Sequence, residues 1–170
     1  MTQEQVGVVV RQGDDMNSER VQYLSVSALG SELTGEELEA LAGRIELQKL
    51  APGEPLISEG DQNERLYAIV RGNFSVLRTS SRGQERLNTL GPGMVTGELA
   101  FLDGLKRTAS VVADADDCCA ISLSREQLES LLPTNGVLVY KVMRAVVRSA
   151  HRTVNRMDTT YTELLSYIST

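Results

Sequence analysis

Residues 44–123 carry a turn signal about every ten residues, and that spacing limits the fold more than any other feature. Pro52-Gly53, Glu59-Gly60-Asp61, Arg71-Gly72-Asn73, Arg82-Gly83, Gly91-Pro92-Gly93 and Gly97 divide the segment. Between them lie short apolar runs such as Leu66, Ile69 and Val70, then Phe74, Val76 and Leu77. About eight short strands fit this pattern, which suits a β jelly roll. One interval departs from it. Residues 97–104, GELAFLDG, read as a single helical turn from Glu98 to Leu102, bounded by glycines.

Helical signals flank the β segment. Thr34 with Glu37 three residues later is a capping box, and Gly43 is a stop, which predicts a short helix over 34–43 with Leu38 and Leu41 facing the core. Ser124 with Gln127 repeats the capping signal, followed by Leu128, Leu131 and Leu132. Pro133-Thr134-Asn135-Gly136 ends that helix. A long helix is expected over 137–170, a stretch free of Pro and Gly and roughly 50 Å long at 1.5 Å per residue. It carries a heptad: Val147, Val154, Tyr161 and Ile168 at a, Met143, Ala150, Met157 and Leu164 at d. The plain alternative is that this stripe packs on its own domain. The repeat outreaches one domain, so a homodimer through the C-terminal helix is expected. The resulting division is 1–33, an extension without a clear pattern; 34–136, the β-roll with flanking helices; and 137–170, the dimer helix. Within the extension, Val6–Val10 fits a short strand and Gly13-Asp14-Asp15 a turn.

Composition removes several function classes. Lys and Arg total 17 against 23 Asp and Glu, a net charge of -6, so binding of DNA or an anionic membrane by the whole surface is not expected. No apolar run is long enough to span a bilayer, and MTQEQ is not a signal peptide. A cytoplasmic location is the simplest expectation. Cys118 and Cys119 are adjacent, and on a strand they point to opposite faces, which favours neither a disulfide nor a metal pair. Cys119 is expected in the core and Cys118 at the surface. A single histidine, His151, leaves no set of ligands for a cupin-like metalloenzyme, so no enzyme activity and no metal are expected.

The chemistry concentrates in Gly97-Glu98-Leu99-Ala100 and Arg107-Thr108-Ala109. A glycine lets backbone approach a ligand closely. A helical turn beginning at Glu98 points free N–H groups at an anion. Arg107 can add a forked pair of hydrogen bonds to two phosphate oxygens. A carboxylate is misplaced beside a phosphate unless it accepts from a sugar hydroxyl, which is the reading for Glu98. Small residues at 108 and 109 leave room. These parts describe a pocket for one ribose and one phosphate held together.

With this spacing, and with Leu56-Ile57-Ser58-Glu59-Gly60-Asp61, Leu66-Tyr67-Ala68-Ile69-Val70-Arg71-Gly72, Val76-Leu77 and Leu90-Gly91-Pro92-Gly93, the sequence resembles the cyclic nucleotide-binding domain family. That family includes the catabolite activator protein and the regulatory subunits of cAMP-dependent protein kinase. The resemblance covers about residues 34–165. It implies that Glu98 binds the ribose 2′-hydroxyl and Arg107 the cyclic phosphate, assisted by backbone N–H groups near Leu99, Ala100 and Thr108. It places Val76 and Leu87 against the base and sugar. It places Thr153 where a threonine of the bacterial activators meets the adenine amine. There are departures: Val95-Thr96 stands where an aromatic or large apolar residue usually precedes Gly-Glu, and Lys106 replaces a proline of the eukaryotic members. A hydroxyl at Thr108 occurs in cAMP and cGMP sites alike, so it leaves the base open; Thr153 favours cAMP, with cGMP as the other ligand. The expected function is a cyclic nucleotide sensor that signals to an unidentified downstream protein. The alternative is a degenerate domain without ligand, serving as an interaction scaffold. About five residues follow the matched helix, too few for a helix-turn-helix, so no direct DNA binding is expected, and Met1 favours a free-standing domain.

Two charged features are read as structural. Lys141, Arg144, Arg148, Arg152 and Arg156 form a basic ridge on the long helix, without aromatics for base stacking, and are taken as a solvated face. Asp114–Asp117 is taken as a turn between strands rather than a calcium loop.

Overall fold

The computed structural model describes the backbone of residues 12–168 and the side chains of residues 16–156. Two helices, α1 (Gln12–Val26) and α2 (Gly35–Ala42), precede eight strands: β1 (Glu46–Leu50), β2 (Pro55–Ile57), β3 (Arg65–Arg71), β4 (Phe74–Ser80), β5 (Gly83–Leu90), β6 (Val95–Thr96), β7 (Ser110–Ala113) and β8 (Cys118–Ser124). Helix α3 (Glu98–Asp103) interrupts them between β6 and β7, and α4 (Arg125–Glu129) and α5 (Leu132–Ile168) follow. The strands form two four-stranded antiparallel sheets, ordered β1-β8-β3-β6 and β2-β7-β4-β5. This is the expected jelly roll with flanking helices.

The expected capping boxes are present. Thr34 accepts from the backbone N–H of Glu37, and the Glu37 carboxylate accepts from that of Thr34. Ser124 and Gln127 do the same at α4. The break expected at 133–136 is a kink: Asn135 leaves helical geometry (φ −148°, ψ 50°) inside α5. Residues 13–15, read as a turn, lie within α1 instead. A short polar string does not enforce a turn when the helix is held elsewhere: Leu24, near the C-terminal end of α1, is fully buried in the core. Val6–Val10 lies outside the described residues, as do the side chains of the heptad positions Met157, Tyr161, Leu164 and Ile168.

Two cores sandwich the first sheet, and β3 and β8 divide between them by strand alternation. Leu66 and Ala68 of β3, with Ile121 and Leu123 of β8, face the helices; Leu41, Leu128, Leu138 and Val142 lie opposite. Tyr67 and Ile69, with Cys118 and Ala120, face the second sheet, where Phe74 and Val111 meet them. A strand covered on both faces buries every position. That corrects the expectation for Cys118. Its thiol is not at the surface; both cysteines are buried and free. A Cβ at Gly72 would stand 2.5 Å from the Cys118 sulfur, so this turn, at φ +76°, admits only glycine.

Candidate functional site

Gly97 links β6 to α3 in the left-handed region, at φ +86°. A Cβ there would meet Nη1 of Arg107 at 2.7 Å and the carbonyl oxygen of Arg65 at 3.0 Å. The glycine therefore serves both turn geometry and the approach of an arginine. Helix α3 follows for six residues, with Gly104 closing it. Its first turn turns Glu98 and Ala100 inward and Leu99 outward.

Arg107 is buried, with 5% of its surface exposed. Its backbone is pinned first: its N–H donates to the Asp61 carbonyl at 2.8 Å and its own carbonyl accepts from Gly60 at 2.9 Å. The guanidinium then turns onto protein oxygens. Nη1 donates to the Gly97 carbonyl at 3.0 Å, and Nη2 donates to the Arg65 carbonyl and to Oδ1 of Asn63. The plane lies 5.8 Å from the Tyr67 ring centre, within cation–π reach. Burial lowers its pKa, against the opposing pull of Tyr67, Asp61 and Glu98. An arginine stays charged under such a shift. Nε is buried and has no acceptor. A buried cation with a donor left over fits a small anion, because an unmet buried donor costs about 1–3 kcal/mol.

Glu98 is also buried, with 6% exposed. Its Oε1 accepts from the hydroxyl of Ser149 at 2.7 Å and from that of Thr153 at 3.4 Å. Both donors stand on α5, one turn apart, and Thr153 also reaches back to the Ser149 carbonyl at 3.2 Å. The long helix thus meets the acid at the start of α3.

The match to known proteins decides what this arrangement belongs to. Residues 47–135 match the model of the cyclic nucleotide-binding domain. The chain belongs to that family. Among relatives of this cyclic nucleotide-binding domain, the Cyclic AMP receptor protein of Thermus thermophilus is 35% identical over 117 residues, 68% of this chain and 54% of that protein. A cAMP-dependent protein kinase regulatory subunit of Hypocrea atroviridis is 32% identical over 117 residues, 68% of this chain and 24% of that one. The chain thus spans about half the length of the bacterial relative. A crystal structure of a cyclic nucleotide-binding domain from Methylobacillus flagellatus superposes with a TM-score of 0.73 at 24% identity, covering 91% of this chain and 85% of that one, and shows the shared fold.

In this cyclic nucleotide-binding domain, the residues singled out from sequence fall into two groups. Gly97, Glu98, Arg107 and Thr153 converge, and buried Ala100 lies beside them on α3. Thr153 reaches the carboxylate of Glu98 itself. Val76 is half-buried against the core between the sheets, and Ala109 is half-buried as well. Thr108 is exposed, and its carbonyl accepts from Nε of Arg78 at 3.2 Å. Leu87 is 47% exposed. It is the extra residue of a β-bulge, since Val76 pairs with Asn88 and Leu77 with Arg86. Sequence reasoning missed Asn63, Tyr67 and Ser149. For Ser149 a signal was available: it interrupts the buried face of α5 that Leu138, Val142 and Val146 otherwise make apolar.

The basic ridge of α5 has acidic partners within the chain. Lys141 donates to both oxygens of Glu37, at 3.0 and 2.7 Å, and Arg144 and Arg148 both pair with Glu32. His151 is exposed, and residues 114–117 form the connection between β7 and β8. Among the described residues no group of His, Cys, Asp and Glu is placed to hold a metal, and no helix is long and apolar enough to cross a membrane.

Proposed function

We propose that the chain is a cAMP receptor module, with cGMP as the second ligand, that binds without catalysis and signals through α5. One observation carries the reading: a buried arginine with an unmet Nε donor lies within electrostatic reach of a buried carboxylate that accepts from the signalling helix. In this reading Arg107 takes the cyclic phosphate and Glu98 the ribose 2′-hydroxyl. Backbone N–H groups at Leu99, Ala100 and Thr108 add to the phosphate site, with Ala109 leaving space. Val76 and Leu87 offer apolar contact to the sugar and base. The nucleotide shifts the population of α5 positions, and a downstream protein reads the shift. The names of the relatives, a cAMP receptor and a cAMP-dependent kinase regulator, support cAMP as the ligand. A cytoplasmic location suits such a receptor.

Homodimerisation is part of the proposal. Val147 and Val154, at a positions of the heptad, are 54% and 48% exposed, while Leu138, Val142 and Val146 are buried on another face of α5. A helix with an apolar stripe on its own domain and a second stripe turned outward fits a two-stranded seam. Calorimetric titration with cAMP and cGMP tests the ligand. Saturable binding of either is expected, with cAMP tighter.

The two terminal nitrogens of Arg107 favour a second reading. Gly97, Arg65 and Asn63 already supply oxygens to both terminal nitrogens of Arg107. A domain that had given up its ligand would retain such contacts and act as a scaffold. A thermal-shift series with cAMP and cGMP separates the two, since the scaffold responds to neither.

A further inference from the structure

We infer that Ser149 is a positioning residue that competes with the ligand's ribose for Glu98, so that α5 is released by the 2′-hydroxyl rather than by the phosphate. The inference rests on the cyclic nucleotide reading. Its physical basis is the occupancy of one oxygen atom. Oε1 of Glu98 already accepts from Ser149 at 2.7 Å and Thr153 at 3.4 Å. The Thr153 hydroxyl has one proton and shares it with the Ser149 carbonyl at 3.2 Å, so a ribose donor that takes Oε1 competes chiefly with Ser149.

Position makes the displacement matter. Ser149 and Glu98 are 5% and 6% exposed, so their bond forms away from competing water. A hydrogen bond to a charged acceptor is worth about 1.5–3 kcal/mol net, more than a neutral pair. Ser149 is also the last buried residue of α5 among the described side chains. Up to this point the helix is held by Leu138, Val142 and Val146, by Lys141 to Glu37, and by Arg144 and Arg148 to Glu32. The apolar part of this packing reaches α3 through Phe101, which joins the same core, and the three ion pairs lie on α2 and Glu32. The hydroxyls of Ser149 and Thr153 link α5 to the start of α3 by contacts that a ribose hydroxyl can replace.

A ligand that must break the Ser149 bond binds more weakly than one that finds Glu98 free, because part of its affinity goes into shifting the helix. Removing the Ser149 hydroxyl leaves the buried carboxylate short of a donor that the ribose then supplies. Ser149→Ala is therefore expected to bind cAMP about tenfold more tightly than the parent chain. The gain should vanish for 2′-deoxy-cAMP, which has no hydroxyl to offer. Ser149→Thr, which keeps the hydroxyl, should restore the parent affinity for cAMP.

The experiment is a calorimetric cycle of parent, Ser149→Ala and Ser149→Thr with cAMP and 2′-deoxy-cAMP, with hydrogen exchange of α5 followed in parallel. A gain confined to cAMP, with cAMP raising exchange in α5 of the parent and 2′-deoxy-cAMP failing to, supports the inference. Equal gains for both nucleotides, or no gain with either, overturns it while nucleotide binding stands. Failure of every variant and of the parent to bind either nucleotide overturns the ligand reading itself, and this inference with it.

Discussion

Nη1 of Arg107 donates to the carbonyl of Gly97 at 3.0 Å, and the same glycine carries its backbone at φ +86° where a Cβ would strike that nitrogen. Backbone turn and guanidinium position are therefore one constraint. Gly97→Ala is expected to destabilise the fold by about 1–3 kcal/mol through the left-handed backbone alone. It should also push Arg107 off its carbonyls. Chemical denaturation checks the first effect, and a loss of cAMP affinity of about tenfold or more checks the second. A variant as stable as the parent would show that the turn between β6 and α3 is not built on this contact.

Arg107 itself does structural as well as binding work. From sequence, a charge reversal at 107 looks harmless to the fold. The three protein oxygens around its guanidinium change that expectation. Arg107→Glu would set a buried carboxylate among carbonyl oxygens, a loss on the order of 3–5 kcal/mol. Arg107→Lys is the cleaner probe. It keeps the charge but not the fork, and a ligand affinity about a hundredfold lower is expected at a melting temperature lowered by a few degrees.

The pairing of Lys141 with Glu37 gives a pH signature. The Lys141 hydrogen bond, with that of the Thr34 backbone N–H, holds the Glu37 carboxyl below its ordinary pKa. A depressed acid contributes stability that is present above its unfolded pKa, near 4.3, and lost as pH falls through the lower folded value. Lys141→Met removes the largest cause. Its denaturation midpoint is expected to lie closer to the parent's at about pH 3 than at pH 6. An equal gap at both values would mean that the pair is not linked to proton uptake.

The outward stripe of α5 predicts the assembly state. Val147 and Val154 are exposed, so replacing both with aspartate leaves the described core intact. Light scattering should give twice 18.6 kDa for the parent and 18.6 kDa for the variant. A parent mass of 18.6 kDa at micromolar concentration would remove the seam.

What the sequence made legible was local. Thr34 with Glu37, and Ser124 with Gln127, mark helix starts by contacts three residues apart, and both are present. The glycines on either side of α3 mark its ends for the same reason. What it hid depends on contacts far along the chain. Cys118 looked like a surface position because alternation says nothing about a second sheet on the other face. The arginine ridge is exposed as expected, but its pairing was hidden because Glu32 and Glu37 lie about a hundred residues earlier in the chain. Ser149 showed only as a polar break in an apolar face; its pairing with Glu98 was hidden because the docking of α5 brings positions 51 apart in sequence into contact.

The most direct measurement is titration of the parent chain and Arg107→Lys with cAMP in a calorimeter, with cGMP as comparison. Saturable binding by the parent, tighter for cAMP, and a steep loss in the variant are expected. Equal heats from parent and variant, or none from the folded parent with either nucleotide, would contradict the ligand reading.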